Sequence, residues 1–189
     1  MEIGLFKTIR IILFILISIF LVAFSWRSLH NPKSHGFYRF FAFEGILIIV
    51  LLNVPFWIKN PFSPLQLVSW ILLLFSLLFV VQGFYLLKTL GESGNRERQS
   101  ENFAFENTVN LVTDGIYKYI RQPLYSSLLL LAWGAFLKHV TLYGLVIVLT
   151  TTLFLVVTAR MEERENILFL GSSYVEYISK SKMFIPYLF

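Results

Sequence analysis

The chain has 189 residues, of which 57% are hydrophobic, 17% aromatic and only 14% charged. Because a soluble domain carries about 25% charged residues, this composition excludes a water-facing globule. The formal charge of +5 is expected where Lys and Arg face anionic headgroups, so it does not indicate a nucleic-acid partner. Cysteine is absent, and His30, His35 and His139 lack metal-ligand spacing, so we expect no disulfide, thiol nucleophile or metal site.

Five apolar segments predict an all-α integral membrane protein that forms one membrane domain over residues 1–189. The segments cover about residues 9–26, 40–58, 65–87, 124–137 and 142–159. Lys7 and Arg10 before the first segment are compatible with a signal peptide, but its length and the lack of a clean cleavage site favour an uncleaved span. Only Lys138–Val140 separates the last two segments, which predicts an antiparallel helical hairpin.

The distribution of Lys and Arg predicts the orientation of the five spans. One side of the membrane carries Lys7, Arg10, Lys59 and Lys138. The other side carries Arg27, Lys33, Arg39, Lys88, Arg96, Arg98, Lys118, Arg121, Arg160, Arg164, Lys180 and Lys182. Since basic residues collect in cytoplasmic loops, we expect the second side, with the C-terminus, to be cytoplasmic. The linker at 88–123 and the tail at 160–189 are then cytoplasmic, and the polar stretch Gly91–Asn110 is predicted to be a mobile loop or lid.

The run Leu111–Tyr125 before span four is a candidate for chemistry. Pro123 suits the first turn of the span, where its missing N–H would have no partner in any case. The tyrosines of the run would lie at headgroup level. The run is therefore also compatible with a re-entry turn that has an aromatic belt and an Arg anchor.

The helix of span five is expected to continue into Arg160–Glu165, which contains the acidic pair Glu162 and Glu163. At about 1.5 Å per residue, the helix carries both carboxylates just past the hydrocarbon, where they can be counter-charges for a cationic ligand. The alternative is a solvated helix end with Glu and Arg on neighbouring turns. Within the spans, Glu44 is a functional candidate, because ionisable residues are costly in hydrocarbon.

Several motifs occur in order through the second half of the chain. The first reads Gly115-Ile-Tyr117-Lys-Tyr-Ile-Arg121-Gln122-Pro123-Leu-Tyr125. Leu90-Gly91 precedes it, and Glu162-Glu163, Leu170-Gly171-Ser-Ser-Tyr174-Val-Glu-Tyr177 and Pro186 follow. Together these motifs resemble the isoprenylcysteine carboxyl methyltransferase and phospholipid methyltransferase superfamily.

The resemblance implies a cytoplasmic pocket for S-adenosylmethionine, built from the linker, the start of span four and the helix that leaves span five. The cofactor-binding residues that it implies are Leu111, Val112, Tyr117, Gln122, Pro123, Tyr125, Glu162 and Glu163. Arg121 and Arg160 would contact the substrate. Paired carboxylates and aromatic faces suit a sulfonium and an ammonium. The implied function is methyl transfer to a lipophilic or small acceptor that enters from the bilayer.

Two positions depart from the family pattern. Gln122 replaces the motif histidine, and its amide can form hydrogen bonds but cannot act as a cation or a base. Thr158 stands where prenylcysteine enzymes tend to have an Arg for the substrate carboxylate, so lipid amines, small thiols and other hydrophobic acceptors stay open. A non-catalytic binding or assembly protein on the same scaffold is the main alternative. A nicotinamide-dependent membrane reductase is a weaker one, because no basic cluster for a 2′-phosphate lies beside the motif.

Overall fold

Helices account for most of the described chain. The computed structural model describes residues 2–92 and 108–186, and within these ranges it has no strand. The α-helices are α1 (Glu2–Phe24), α2 (Trp26–Leu29), α3 (His35–Asn53), α4 (Pro64–Leu90), α5 (Pro123–Leu137), α6 (Leu142–Leu170) and α7 (Ser172–Lys180). Two 3-10 turns cover Val54–Phe56 and Gly115–Lys118. The predicted all-α fold class is confirmed.

Within residues 2–92 and 108–186, four helices are long and apolar enough to cross a membrane. They are α1 from Gly4 onward, α3 with its continuation to Phe56, α4 and α6, with lengths of 21 to 29 residues. A membrane crossing needs about 20 residues, so the chain is an integral membrane protein. The fourth predicted span, at about residues 124–137, corresponds to α5, which is apolar but has only 15 residues. At about 1.5 Å per residue it is shorter than a hydrocarbon core of about 30 Å.

Proline, threonine and glycine set the boundaries of helices α4 to α7. Pro64 and Pro123 begin α4 and α5, where a missing N–H leaves no hydrogen bond unmade. Thr141 caps α6, because its hydroxyl accepts a hydrogen bond from the Gly144 N–H at 3.2 Å. α6 then runs unbroken past residue 159 to Leu170, and Gly171, with a φ of 63°, turns the chain into α7.

α5 lies at the centre of the bundle, in contact with α3, α4 and α6, while α3 packs along α6. The hydrophobic effect does not drive helices together within lipid, so these contacts depend on small residues and hydrogen bonds. The Ser69 hydroxyl of α4 donates to the Gly134 carbonyl of α5 at 2.7 Å. The Asn53 amide of α3 donates to the Ala135 carbonyl at 2.8 Å. The two bonds fix α5 against both neighbours.

α3 and α6 run antiparallel and lie close together. His35 Nδ1 is 2.8 Å from Oε2 of Glu165 at one end of the contact. Further along, Gly45 faces Thr151 so closely that a Cβ added at Gly45 would overlap the Thr151 hydroxyl. The two pairs define the register of α3 against α6.

Glu44, the functional candidate within the spans, links α1 to α3. Its Oε2 accepts a hydrogen bond from the Ser18 hydroxyl at 2.8 Å. Arg10 makes a second link, since its Nη1 donates to the Leu51 carbonyl at 3.3 Å. We therefore assign Glu44 a structural contact between helices.

The residues on either side of 93–107 are hydrogen-bonded to each other at the end of α4. The lid predicted at Gly91–Asn110 falls mostly on residues 93–107, which lie outside the described residues. At its two ends, the Val109 N–H donates to the Glu92 carbonyl at 2.9 Å and the Asn110 N–H donates to the Gly91 carbonyl at 3.0 Å. Residues 108–122 therefore begin beside the end of α4.

Candidate active site

A cavity of about 230 Å³ lies where α4 ends and α5 begins. α3, α4, the linker, α5, α6 and α7 all contribute to its walls. The apolar lining includes Phe43 of α3 and Val80 and Phe84 of α4. Val80 and Phe84 are also 39% and 44% exposed, so the cavity is open along this part of α4.

The C-terminal segment 181–184 runs along the linker beside the cavity. Ile120 and Lys182 form a parallel β-bridge, in which the Arg121 N–H donates to the Lys182 carbonyl at 2.8 Å. The Ser126 hydroxyl of α5 donates to the Phe184 carbonyl at 2.9 Å. The C-terminal segment 181–184 therefore holds the linker against the first turn of α5.

Three buried tyrosines form the polar side of the cavity. The Tyr117 hydroxyl donates to the Gly83 carbonyl of α4 at 3.3 Å. The Tyr177 hydroxyl of α7 donates to the Tyr117 carbonyl at 2.6 Å. Burial raises the pKa of Tyr117, Tyr174 and Tyr177, and the nearby Glu162 carboxylate raises the pKa of Tyr117 and Tyr174 further. All three phenols are therefore neutral donors at physiological pH.

The acidic pair divides between two environments. Glu162 lines the cavity, with Asn166 one turn later on the same face of α6. Glu163 is buried but outside the cavity lining, and its Oε1 accepts a hydrogen bond from Arg121 Nε. Consecutive residues on a helix point about 100° apart, so the two carboxylates leave α6 in different directions.

The structure brings most of the predicted site residues together. Those that line the cavity are Leu111, Val112, Tyr117, Gln122, Pro123, Tyr125, Glu162 and Arg121. Arg121 makes two hydrogen bonds within the protein: its Nε donates to Glu163, and its Nη1 donates to the Ser181 carbonyl at 2.7 Å. Glu163 faces Arg121 instead of the cavity. Arg160 is exposed and does not belong to the cavity lining.

Sequence reasoning missed several lining residues. Asn166 could have been found, because it follows Glu162 by one helical turn. Tyr174 and Tyr177 belong to the recognised tail motif, but their position on the cavity depends on how α7 folds back. Arg39 of α3 carries no local signal at all, since only tertiary packing brings it to the cavity.

The residues that line the cavity can bind a ligand that has both charged and apolar parts. Among the described lining residues, Arg39, Arg121 and Glu162 carry charge, and the rest are apolar, aromatic or neutral polar groups. A carboxylate beside aromatic rings suits a cation, and a buried guanidinium suits a carboxylate or phosphate. The residues described include no group of three His, Cys, Asp or Glu side chains that could bind a metal ion.

The bundle and its cavity define an integral membrane protein with a site at one end of its helices. The chain belongs to the phospholipid methyltransferase family, which it matches over residues 65–168, more than half of its length. The predicted superfamily is thus confirmed, and membership implies membrane methyltransferase activity in general. Neither the comparison with curated proteins nor that with solved structures gave a match.

Proposed function

We propose that the protein transfers a methyl group from S-adenosylmethionine to a lipophilic or small acceptor at the cytoplasmic membrane interface. The observation that carries the proposal is a single cavity lined by Glu162 and by the rings of Tyr117, Tyr174 and Tyr177. S-adenosylmethionine is cationic at sulfur and at its ammonium group. A carboxylate among aromatic rings stabilises such charges.

The residues around the cavity fit this cofactor in charge and in polarity. When bound, the cofactor would supply a methyl group on a sulfonium for in-line displacement by the acceptor. Glu162 would bind its cationic part, and Leu111, Val112 and Pro123 would pack against its apolar and planar parts. The Gln122 amide would form hydrogen bonds with the cofactor from the cavity lining and would add no charge. In such a reaction most of the rate gain comes from the positioning of the two reactants.

The acceptor is proposed to enter from the bilayer. Val80 and Phe84 line the cavity and are also exposed on α4, so an acyl or prenyl chain could reach the site without crossing a polar surface. In this proposal Arg121 positions the tail through Glu163 and Ser181 and does not contact the substrate. Lipid amines and small thiols stay open as acceptors.

The proposed topology has five spans in one domain of residues 1–189, with α5 as the fourth crossing. The linker 88–123 and the tail 160–189 would then be cytoplasmic, as the twelve-to-four division of Lys and Arg predicts. A reporter fused to the C-terminus should be cytoplasmic, and one inserted between α5 and α6 should be on the opposite side. A C-terminus outside the cytoplasm would contradict the placement of the site.

Calorimetry of the purified protein with S-adenosylhomocysteine tests the cofactor. Wild type should bind, and Glu162→Gln should weaken binding by more than about 1 kcal/mol through loss of a charge-assisted contact. Glu176→Gln is the matched control, because this side chain is 68% exposed on α7 and pairs with Lys180. Repeated absence of wild-type binding would favour the non-catalytic scaffold and end the proposal.

A further inference from the structure

One polar side chain of α4 points away from the rest of the bundle. Ser69 and Ser76 lie on the buried side of this helix, and each donates a hydrogen bond to a carbonyl of α5. Gln82 is exposed, and its amide has no hydrogen-bond partner in the part of the chain that the structure describes. It precedes Lys88, the basic residue that ends the apolar stretch, by six residues, which is about 9 Å along the helix. The single copy therefore leaves the Gln82 amide unpaired at a depth where hydrocarbon surrounds α4.

Gln82 belongs to a row of exposed residues with heptad spacing, which we name the α4 stripe. Its members follow one another in steps of three and four residues and are Val68, Ile71, Phe75, Leu78, Gln82 and Tyr85. This spacing places one seam of side chains against a partner helix that crosses at about 20°. The cavity-lining residues Val80 and Phe84 point about 160° away from Gln82, so a helix on the stripe would leave the open side of the cavity uncovered.

Lipid satisfies the apolar members of the α4 stripe but not its amide. Acyl chains have no hydrogen-bonding groups, and an unpaired amide in hydrocarbon is costly. A Gln side chain that faces another membrane helix can form a hydrogen bond there, and such bonds help to hold membrane helices together. Because the amide donates from its nitrogen and accepts at its oxygen, two Gln side chains can pair reciprocally. The partner that suits Gln82 is therefore a helix with an amide at the same depth.

A second copy of this chain presents such an amide. Copies inserted in the same orientation can be related by a two-fold axis along the membrane normal, which makes their α4 helices parallel and puts both Gln82 residues at one depth. We propose that the α4 stripe is a dimer interface, in which two copies pack stripe against stripe and their Gln82 amides hydrogen-bond to each other. The inference does not depend on the proposed methyl transfer, because no member of the stripe lines the cavity.

Disulfide cross-linking tests the interface, since the chain has no cysteine of its own. Leu78→Cys and Leu77→Cys are matched variants, because these neighbours are 45% and 58% exposed and point about 100° apart at similar depth. Copper phenanthroline oxidation of the purified full chain in dioleoylphosphatidylcholine vesicles should cross-link Leu78→Cys at least about tenfold faster than Leu77→Cys. Phe75→Cys, on the stripe one turn earlier, should behave like Leu78→Cys and replaces it if Leu78→Cys does not fold. Equal rates on and off the stripe, or no cross-link on it, would overturn the proposal.

Substitution of Gln82 tests the amide pair. Energy transfer between fluorescently labelled copies, measured as the vesicles are diluted with lipid, gives the dissociation constant of the dimer. Gln82→Leu should raise this constant at least about threefold, as expected for the loss of an interhelical hydrogen bond, while Gln82→Asn keeps an amide and should raise it less. A wild type that stays monomeric, or a constant that Gln82→Leu leaves unchanged, would overturn the inference and leave the proposed function intact. In native membranes, a cross-link from Leu78→Cys to a different protein in place of a second copy would also overturn it.

Discussion

The hydroxyl of Tyr177 in α7 donates a hydrogen bond to the backbone carbonyl of Tyr117, with 2.6 Å between the two oxygens. Tyr117 in turn donates its own hydroxyl to the Gly83 carbonyl of α4. The two bonds connect α7, the linker turn and α4 in series. Because both tyrosines are buried, neither carbonyl can exchange its partner for water without opening the cavity.

The first prediction is that Tyr177→Phe destabilises the protein and weakens S-adenosylhomocysteine binding. The change leaves the buried Tyr117 carbonyl without its donor, which costs about 1–3 kcal/mol. The melting temperature in detergent and a calorimetric titration measure the two effects. Tyr85→Phe is the control, because Tyr85 is 65% exposed on α4 and should change stability by less than about 0.5 kcal/mol. An equal effect of the two variants would contradict the role of the Tyr177 bond.

The second prediction concerns high pH. Burial raises the pKa of Tyr117, Tyr174 and Tyr177, so these phenols keep their protons where tyrosines of an unfolded chain lose theirs, near pH 10. Above about pH 10 the folded protein then binds more protons than the unfolded chain, and its stability falls as the pH rises. Tyrosinate absorbance should show at least three tyrosines, Tyr117, Tyr174 and Tyr177 among them, that ionise only on unfolding. The corresponding Phe variants assign them, and full ionisation of the folded protein at about pH 11 would refute the prediction.

Much of the fold and part of the site could be predicted from the sequence. The helices α1, α3, α4 and α6 could be predicted because a membrane span is recognised from about 20 consecutive apolar residues alone. The cavity residues of the Gly115–Tyr125 motif were readable for a similar reason, since they are consecutive in one turn and one helix start. Local sequence determines both features.

The rest depended on tertiary contacts. Arg39 reaches the cavity only because α3 packs along α6, and nothing near it in the sequence indicates that packing. The different orientations of Glu162 and Glu163 follow from helix geometry, but the partner of Glu163 comes from the linker. The shortness of α5 was visible, yet its central position between α3, α4 and α6 was not.

The third prediction is that Arg121 and Glu163 are strongly coupled. Both side chains are 12% exposed, and Arg121 also binds the Ser181 carbonyl, so loss of either partner should loosen the tail. Arg121→Gln, Glu163→Gln and the double variant form a cycle, with an expected coupling of about 0.5–3 kcal/mol. Thermal melting gives the cycle, and the rate of trypsin cleavage in the tail reports its release.

The exposed pair Lys180 and Glu176 is the matched control for that cycle. Its side chains are 69% and 68% exposed, so solvent screens the pair and the coupling should be close to zero. A similar coupling for both pairs would show that Arg121 and Glu163 do not anchor the tail.

The fourth prediction concerns Lys138 at the opposite end of the bundle. Its Nζ donates to Gln66 Oε1 at 3.0 Å and lies 3.3 Å from the centre of the Trp70 ring. Burial lowers the pKa of Lys138, so below about pH 10.4 there is a window in which the unfolded chain binds the additional proton and stability rises with pH. Lys138→Met should remove this rise and lower the melting temperature. Lys59→Met, at an exposed site, should do neither.

Gln122 is the position where the chain departs most clearly from its family motif. Its backbone is fixed on both sides, since its N–H donates to the Met183 carbonyl at 3.2 Å and its carbonyl accepts from the Ser126 hydroxyl at 2.9 Å. The side chain is 5% exposed and lines the cavity. A substitution here therefore changes the cavity wall while the surrounding backbone contacts stay in place.

The last prediction is that Gln122→His keeps S-adenosylhomocysteine affinity within about tenfold of wild type, or about 1.4 kcal/mol. The side chains of Gln and of neutral His can each donate and accept a hydrogen bond. Binding therefore needs neither a charge nor a base at this position. Gln122→Ala should bind more weakly than either, because it removes the hydrogen-bonding group at this position of the cavity lining. A sharp gain with His would mean that Gln122 marks a weakened pocket, and absence of binding in both wild type and Gln122→His would mean that the cavity does not bind the cofactor.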